Sequence, residues 1–242
     1  MKIFFKVTRW IAALFFGSTI LAVVLYRFMP VYVTPLMVIR CMEQIKDGND
    51  IQWHHTWVPL NKISRHMPVA VMASEDSRFL IHHGFDYDAI IKASKRNHDG
   101  KKKFGASTIT QQTAKNVFLW PGRSWVRKGF EAYFTVLIEL VWSKQRIMEV
   151  YLNSIEMGEG IYGVSAVAEH HFEKGPDELS RADCALIAAT LPNPRKYSSK
   201  HPSSYMVTRQ HRIEHEMRYI PTFPLEGEKI DPNTVSGGIY HK

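Results

Sequence analysis

The sequence is poor in cysteine, in strand-like alternation and in repeats. Cys41 and Cys184 are its two cysteines among 242 residues, and no CxxC pair occurs. That excludes a cysteine-built zinc site, and two cysteines so far apart make no disulfide framework. Cys184 sits in the apolar run from Ala182 to Leu191 and reads as a small core residue. Alternation of apolar and polar residues with period two is hard to find over more than four positions, while the 3.6-residue period recurs. The body is therefore expected to be mainly α, with at most a small β element. No internal repeat or low-complexity tract is present. Acidic residues are also short, 23 against 31 lysines and arginines, which leaves a net charge of +8. Such a chain needs an anionic partner: nucleic acid, anionic lipid or a phosphorylated substrate. At 45% apolar and 22% charged the composition is that of a globular protein.

One long apolar run is present. Trp10 to Tyr26 is uncharged over 17 residues, at the short end for a bilayer-spanning helix. Phe28 and Met29 extend it if Arg27 turns its charge to the interface. Lys2, Lys6 and Arg9 precede the run, so the positive-inside rule leaves the N-terminus in the cytoplasm and the rest of the chain outside. A cleaved signal peptide fits less well, because the run is long for one and no small-x-small site follows it. The expected organisation is a cytoplasmic tip and anchor over 1–30, a connector helix over 31–51, a body over 52–220 and a loose, Pro- and Gly-rich tail over 221–242.

Local signals place the helices. Thr34-Pro35 supplies a cap and a first-turn proline, and Gly48 ends that helix. Pro68 to Asp76 is a short helical run. Asp86 caps a helix to about His98, Ser107 opens one through Asn116, and Ser124 opens a long one to about Trp142. Helix continues over Ser143 to Leu152. Ser180 and Asp183 form a capping box, and a last helix runs from about Tyr205 to Tyr219.

Three constellations carry candidate chemistry. Glu75 and Asp76 follow the apolar run Val69 to Ala73. A carboxylate at that edge is either a partly desolvated base, its pKa raised by burial, or one of two exposed acids at a helix end. Ser107, Gln111 and Lys115 stand at i, i+4 and i+8 and share a helix face. With one charge only, that stripe suits a sugar diphosphate better than bulk water. Arg123, Arg127 and Lys128 crowd a helix start, where free N–H groups already favour anions. Glu131, at i+4 from Arg127 and i+3 from Lys128, is open to reading as a plain surface ion pair.

Together these segments resemble the peptidoglycan glycosyltransferases, family 51 of the glycosyltransferases. The matching strings are Glu75-Asp76-x-x-Phe79-x-x-His82-x-Gly84-x-Asp86, then Gly105-x-Ser107-Thr108-Ile-Thr110-Gln111-Gln112-x-x-Lys115-Asn116, then Arg127-Lys128-x-x-Glu131. A fourth, Lys144-x-x-Ile147-x-Glu149-x-Tyr151-Leu152-Asn153, and a fifth, Gly158-x-Gly160-x-Tyr162-Gly163-Val164, complete the order over about residues 52 to 200. The chain departs from the pattern after Gly163, at Ala166 to Glu173 and again after Leu191-Pro192-Asn193-Pro194.

The resemblance implies a lysozyme-like, two-lobed α domain behind an N-terminal transmembrane helix. It implies polymerisation of the lipid-linked disaccharide lipid II, with inversion and loss of polyprenyl diphosphate. Glu75 would be the general base and Glu131 the second catalytic glutamate. Asp76, Phe79, His82, Gly84, Ser107, Thr108, Gln111, Gln112, Lys115, Asn116, Arg123, Arg127 and Lys128 would bind substrate. No cofactor is called for, although the diphosphate leaves room for a divalent metal, magnesium or manganese. The expected partners are lipid II, the growing glycan, the bacterial inner membrane and other cell-wall synthesis proteins, with no nucleic acid. Neither Ser-x-x-Lys nor Lys-Thr-Gly occurs, so the chain resembles the form without a transpeptidase domain. A lysozyme-like hydrolase, needing a second carboxylate as acid, and a membrane-tethered glycan-binding module are the rival readings. His211-x-x-Glu214-His215 spells a zinc-peptidase pattern, but no third ligand can be named for it.

Overall fold

A computed structural model describes residues 2–99, 105–122, 124–225 and 227–228. Arg123, the lysines at 101–103 and most of the C-terminal tail lie outside them.

The described chain is mainly helical, as expected. Helix α1 spans Lys2–Tyr26, about 38 Å at 1.5 Å per residue, which exceeds the roughly 30 Å hydrocarbon core of a bilayer. It starts earlier than the uncharged run and does not continue over Phe28 and Met29. Arg27 to Met29 form a turn, and the Arg146 guanidinium takes the Tyr26 carbonyl at 2.8 and 3.0 Å. A cation on the last carbonyls complements the negative end of a helix. Connector helix α2, Pro35–Lys46, is capped by Thr34. It buries Leu36 and Met37 and leaves Val38, Met42 and Ile45 exposed.

Helix α3, His66–Glu75, is the centre of the body: Met67 through Met72 are all buried. Helix α4 covers Tyr87–Asp99 and α5 covers Ile109–Phe118. Helices α6, Trp125–Val141, and α7, Lys144–Ser154, are separate, because Trp142 turns extended and Ser143 caps a new helix. Helix α8, Gly163–Val167, runs into a π-helical turn at Ala168–Phe172. Helix α9, Arg181–Thr190, carries the Ser180–Asp183 capping box and lies on α3. Helix α10, Ser204–Glu216, lies across α9. Three short strands, β1 at His54–His55, β2 at Glu156–Gly158 and β3 at Ile161–Tyr162, form a sheet of order β1-β3-β2.

The fourth and fifth motifs build this frame. Asn153 is fully buried. Its carboxamide bonds the Val58 N–H and carbonyl at 2.8 and 2.9 Å, tying the strand-side segment to α7. Gly163 has φ +80, and a Cβ there would stand 2.6 Å from the Asn153 carbonyl oxygen. Only glycine meets both demands. The tail begins ordered, since Phe223 is buried and stacks on Phe79.

Candidate active site

Glu75 is the last residue of α3. The core helix thus delivers the carboxylate to the edge of the apolar interior, and its side chain is 14% exposed. Ser74 Oγ donates to Oε1 at 3.0 Å, and Gln112 Nε2 donates to Oε2 at 3.0 Å. The orientation of Gln112 is itself fixed. Its Oε1 accepts from the Tyr151 hydroxyl at 3.2 Å. Burial pushes the Tyr151 phenol well above its ordinary pKa, and the Glu75 and Asp76 charges add to that, so it remains a donor.

Glu75 opens on a cavity of about 220 Å³ shared with Ser107, Gln111, Gln112, Lys115, Glu131, Leu191 and Pro192. A neighbouring cavity of about 380 Å³ shares Gln112, Lys115, Leu191 and Pro192 with it and adds Asn116, Trp120, Arg127, Arg40, Arg195 and Leu36. The two make one cleft, polar at the Glu75 end and part apolar toward the connector helix. Lys115 stands in both halves. Burial pulls its ammonium below the ordinary lysine pKa, while the Glu131 carboxylate pulls the other way. Among the described residues no hydrogen bond holds its Nζ.

Glu131 is buried. It receives Arg127 Nη1 at 2.7 Å, and the Lys128 ammonium closes on its other oxygen. The ion pair is therefore real, but its Arg127–Glu131 arm is buried and borders the cleft, while Lys128 closes it from the exposed side. Both oxygens act as acceptors, which suits a carboxylate that organises cations and not one that gives a proton. With those oxygens engaged, and no three His, Cys, Asp or Glu side chains converging among the described residues, these side chains do not make a protein cage for a divalent metal.

The remaining first-motif residues stand behind the cleft. Asp76 is buried and accepts His82 Nε2 at 2.9 Å and the backbone N–H of Ile109 at 3.0 Å, at the start of α5. The Thr108 hydroxyl donates to the Gly84 carbonyl at 2.6 Å and caps α5 in a capping box with Gln111. Gly84 has φ +83, and a Cβ would meet Thr135 at 2.7 Å. Phe79 lies under the Lys144 ammonium, which bonds the His82 carbonyl at 2.7 Å. Asp76, Phe79, His82, Gly84 and Thr108 thus line neither cavity. Ser107 is corrected too: Thr108 is the cap, so Ser107 precedes the helix, although it still reaches the cleft. Arg123 is outside the described residues. His211 faces Glu214 at 3.4 Å, and His215 packs on Tyr219.

The family model for the Transglycosylase domain matches residues 42–218. The chain belongs to the transglycosylase family. Relatives agree along nearly the whole length. A Biosynthetic peptidoglycan transglycosylase of Bacteroides thetaiotaomicron is 59% identical over 232 residues, covering 96% of this chain and 94% of the relative. Proteins of the same description from Bdellovibrio bacteriovorus and Caulobacter vibrioides are 53% identical over 219 residues and 52% identical over 197. They cover 89% and 81% of this chain and 87% and 83% of those relatives. The transglycosylase is thus a glycosyl-transferring enzyme with a mainly helical, lysozyme-like domain, and one N-terminal helix is long and apolar enough to cross a membrane.

Sequence reading missed three cleft-lining residues of this transglycosylase, Arg40, Glu156 and Arg195, and a fourth, Arg209, that stands behind Glu75. Arg40 Nε lies 3.3 Å from Glu156 Oε1, linking the connector helix to β2. Burial raises the Glu156 pKa, against the pull of Arg40. None of the four stands out by local spacing, since each is one charge among many on its segment.

Proposed function

We propose that the enzyme polymerises lipid II into glycan strands by direct displacement. The observation that carries this is Glu75, held on both oxygens, at the polar end of a cleft that also contains Lys115, Glu131 and Arg127. Glu75 takes the proton of the acceptor sugar hydroxyl as that oxygen attacks the donor's anomeric carbon. The diphosphate leaves with its charge met by Lys115 and Arg127, with Lys128 beside them on Glu131. One attack and one departure invert the anomeric centre. Ser107, Gln111, Gln112 and Asn116 position sugar and phosphate oxygens, and the apolar end of the cleft takes the start of the lipid. Asp76, Phe79, His82, Gly84 and Thr108 support the base and do not touch substrate. Helix α1 is the inner-membrane anchor, with Lys2, Lys6 and Arg9 inside and the body outside. The exposed stripe Val38, Met42 and Ile45 of α2 lies at the lipid surface.

The test is purified full-length protein in detergent with lipid II. Long glycan strands and free polyprenyl diphosphate are expected. Shortening of added strands without synthesis would mean a hydrolase, and binding without turnover a tethered module.

The buried lysine gives a pH prediction. Because its folded pKa is depressed, Lys115 loses its charge at a lower pH than an ordinary lysine. Polymerisation should therefore fall on the alkaline side before the ordinary lysine range is reached. Lys115→Arg keeps a cation throughout, so its alkaline limb should lie at higher pH even if its peak rate is lower. Rate profiles of the two proteins with coincident alkaline limbs would remove Lys115 from this role.

A further inference from the structure

Arg209 lies on α10, outside all five motifs and 134 positions from Glu75 in the chain. Its Nη2 donates to Ser74 Oγ at 3.1 Å and stands 3.8 Å from Glu75 Oε1. Among the described residues it is the one cation within 4 Å of that carboxylate. The arginine is largely buried, 17% exposed, and its Nε is enclosed without a partner. Ser74 Oγ has one hydrogen and two acceptors in reach, Glu75 Oε1 at 3.0 Å and the Ala188 carbonyl at 3.3 Å. A hydroxyl that receives a charged donor becomes a better donor itself. Arg209 therefore biases Ser74 toward the carboxylate, and its own charge reinforces the choice. Gln112 holds the other oxygen from α5. The carboxylate is thus clamped from two sides by elements that meet only in the folded chain.

We propose that Arg209 is a positioning residue for the base: through Ser74 it fixes the plane of the Glu75 carboxylate for proton abstraction. The proposal rests on the reading of Glu75 as that base. Arg209 lines neither cavity, so it acts on the chemical step and not on substrate affinity.

The experiment compares kcat and KM for lipid II in wild type, R209M, R209K, S74A and the S74A/R209M double variant. R209M keeps the aliphatic stem that packs α10 and removes the charge and donors. R209M should lower kcat about tenfold or more, on the scale of one charged hydrogen bond at a reacting group, with KM within about twofold. R209K should recover much of kcat, since an ammonium can still donate to Ser74. The double variant should be no worse than the worse single one, because both act through one relay. A wild-type kcat in R209M, a loss carried by KM, or losses that multiply in the double variant would each overturn the proposal. If R209M unfolds early in a thermal melt, R209K and S74A decide: wild-type kcat in S74A overturns it. Failure of the underlying reading looks different, as full turnover in E75Q, whereas an inactive E75Q beside a fully active R209M removes Arg209 alone.

Discussion

Glu75→Gln is expected to abolish polymerisation, with a loss on the order of 10²–10⁴-fold or more, while the protein melts like wild type. Glutamine has the same shape and can still accept from Ser74 at the carbonyl oxygen. The Gln112 amide would then face an NH₂ group, or one of the two amides would turn over, which costs a hydrogen bond worth about 1 kcal/mol net and no more. The chemistry suffers differently. Among the described residues the other carboxylates near the cleft are engaged: Glu131 has both oxygens on Arg127 and Lys128, Glu156 pairs with Arg40, and Asp76 is closed off by His82 and Ile109. Initial rates on lipid II, read beside a thermal melt, check this. Near-normal turnover in the folded variant would remove Glu75 as the base.

Asp76→Ala is expected to act the other way, through the fold. Asp76 is 7% exposed, next in sequence to the base, and easily mistaken for a second catalytic acid. Its oxygens instead hold a ring nitrogen of His82 and the first N–H of α5. Removing that acceptor leaves two buried donors without a partner, and each such group typically costs about 1–3 kcal/mol. The helix whose start is released carries Gln111, Gln112, Lys115 and Asn116, so the cleft should lose definition with it. Denaturant unfolding in detergent should show a marked drop in midpoint for Asp76→Ala and a smaller one for Asp76→Asn, which keeps one acceptor. A wild-type midpoint with lost activity would instead make Asp76 a substrate contact, as the family resemblance implied.

Those two carboxylates illustrate what the sequence makes legible. A cap is a local device, so Thr34-Pro35, Ser124 and Ser180-x-x-Asp183 mark their helices correctly, whereas Ser143, expected inside a continuing helix, caps a new one. Ser107 was misplaced as a helix start because Thr108-x-x-Gln111 is the actual capping box, one residue later. A motif, however, does not say which members face a ligand and which face the core. Glu75 and Asp76 are adjacent, yet the break at the end of α3 sends one to the cleft and the other inward. Gly84, Thr108 and Phe79 likewise hold the frame. Arg209 and Arg40 are less legible still, since their contacts cross more than a hundred residues of chain, and nothing in their neighbourhoods distinguishes them from surface charge.

The end of the N-terminal helix has a mechanical consequence. Phe15 meets Phe130, Phe16 and Thr19 meet Tyr133, Trp142 donates to the Val23 carbonyl, and Arg146 closes on Tyr26. Helix α1 is therefore bolted along α6 and onto the start of α7, with no slack joint between them. A catalytic body on a loose tether would wander and tumble above a surface. This one is held like a crane on its mast: the bearing and height of the cleft are set by how α1 stands, so with α1 as the proposed membrane anchor each lipid-borne unit would meet the machinery at the same elevation and the product would leave along one heading.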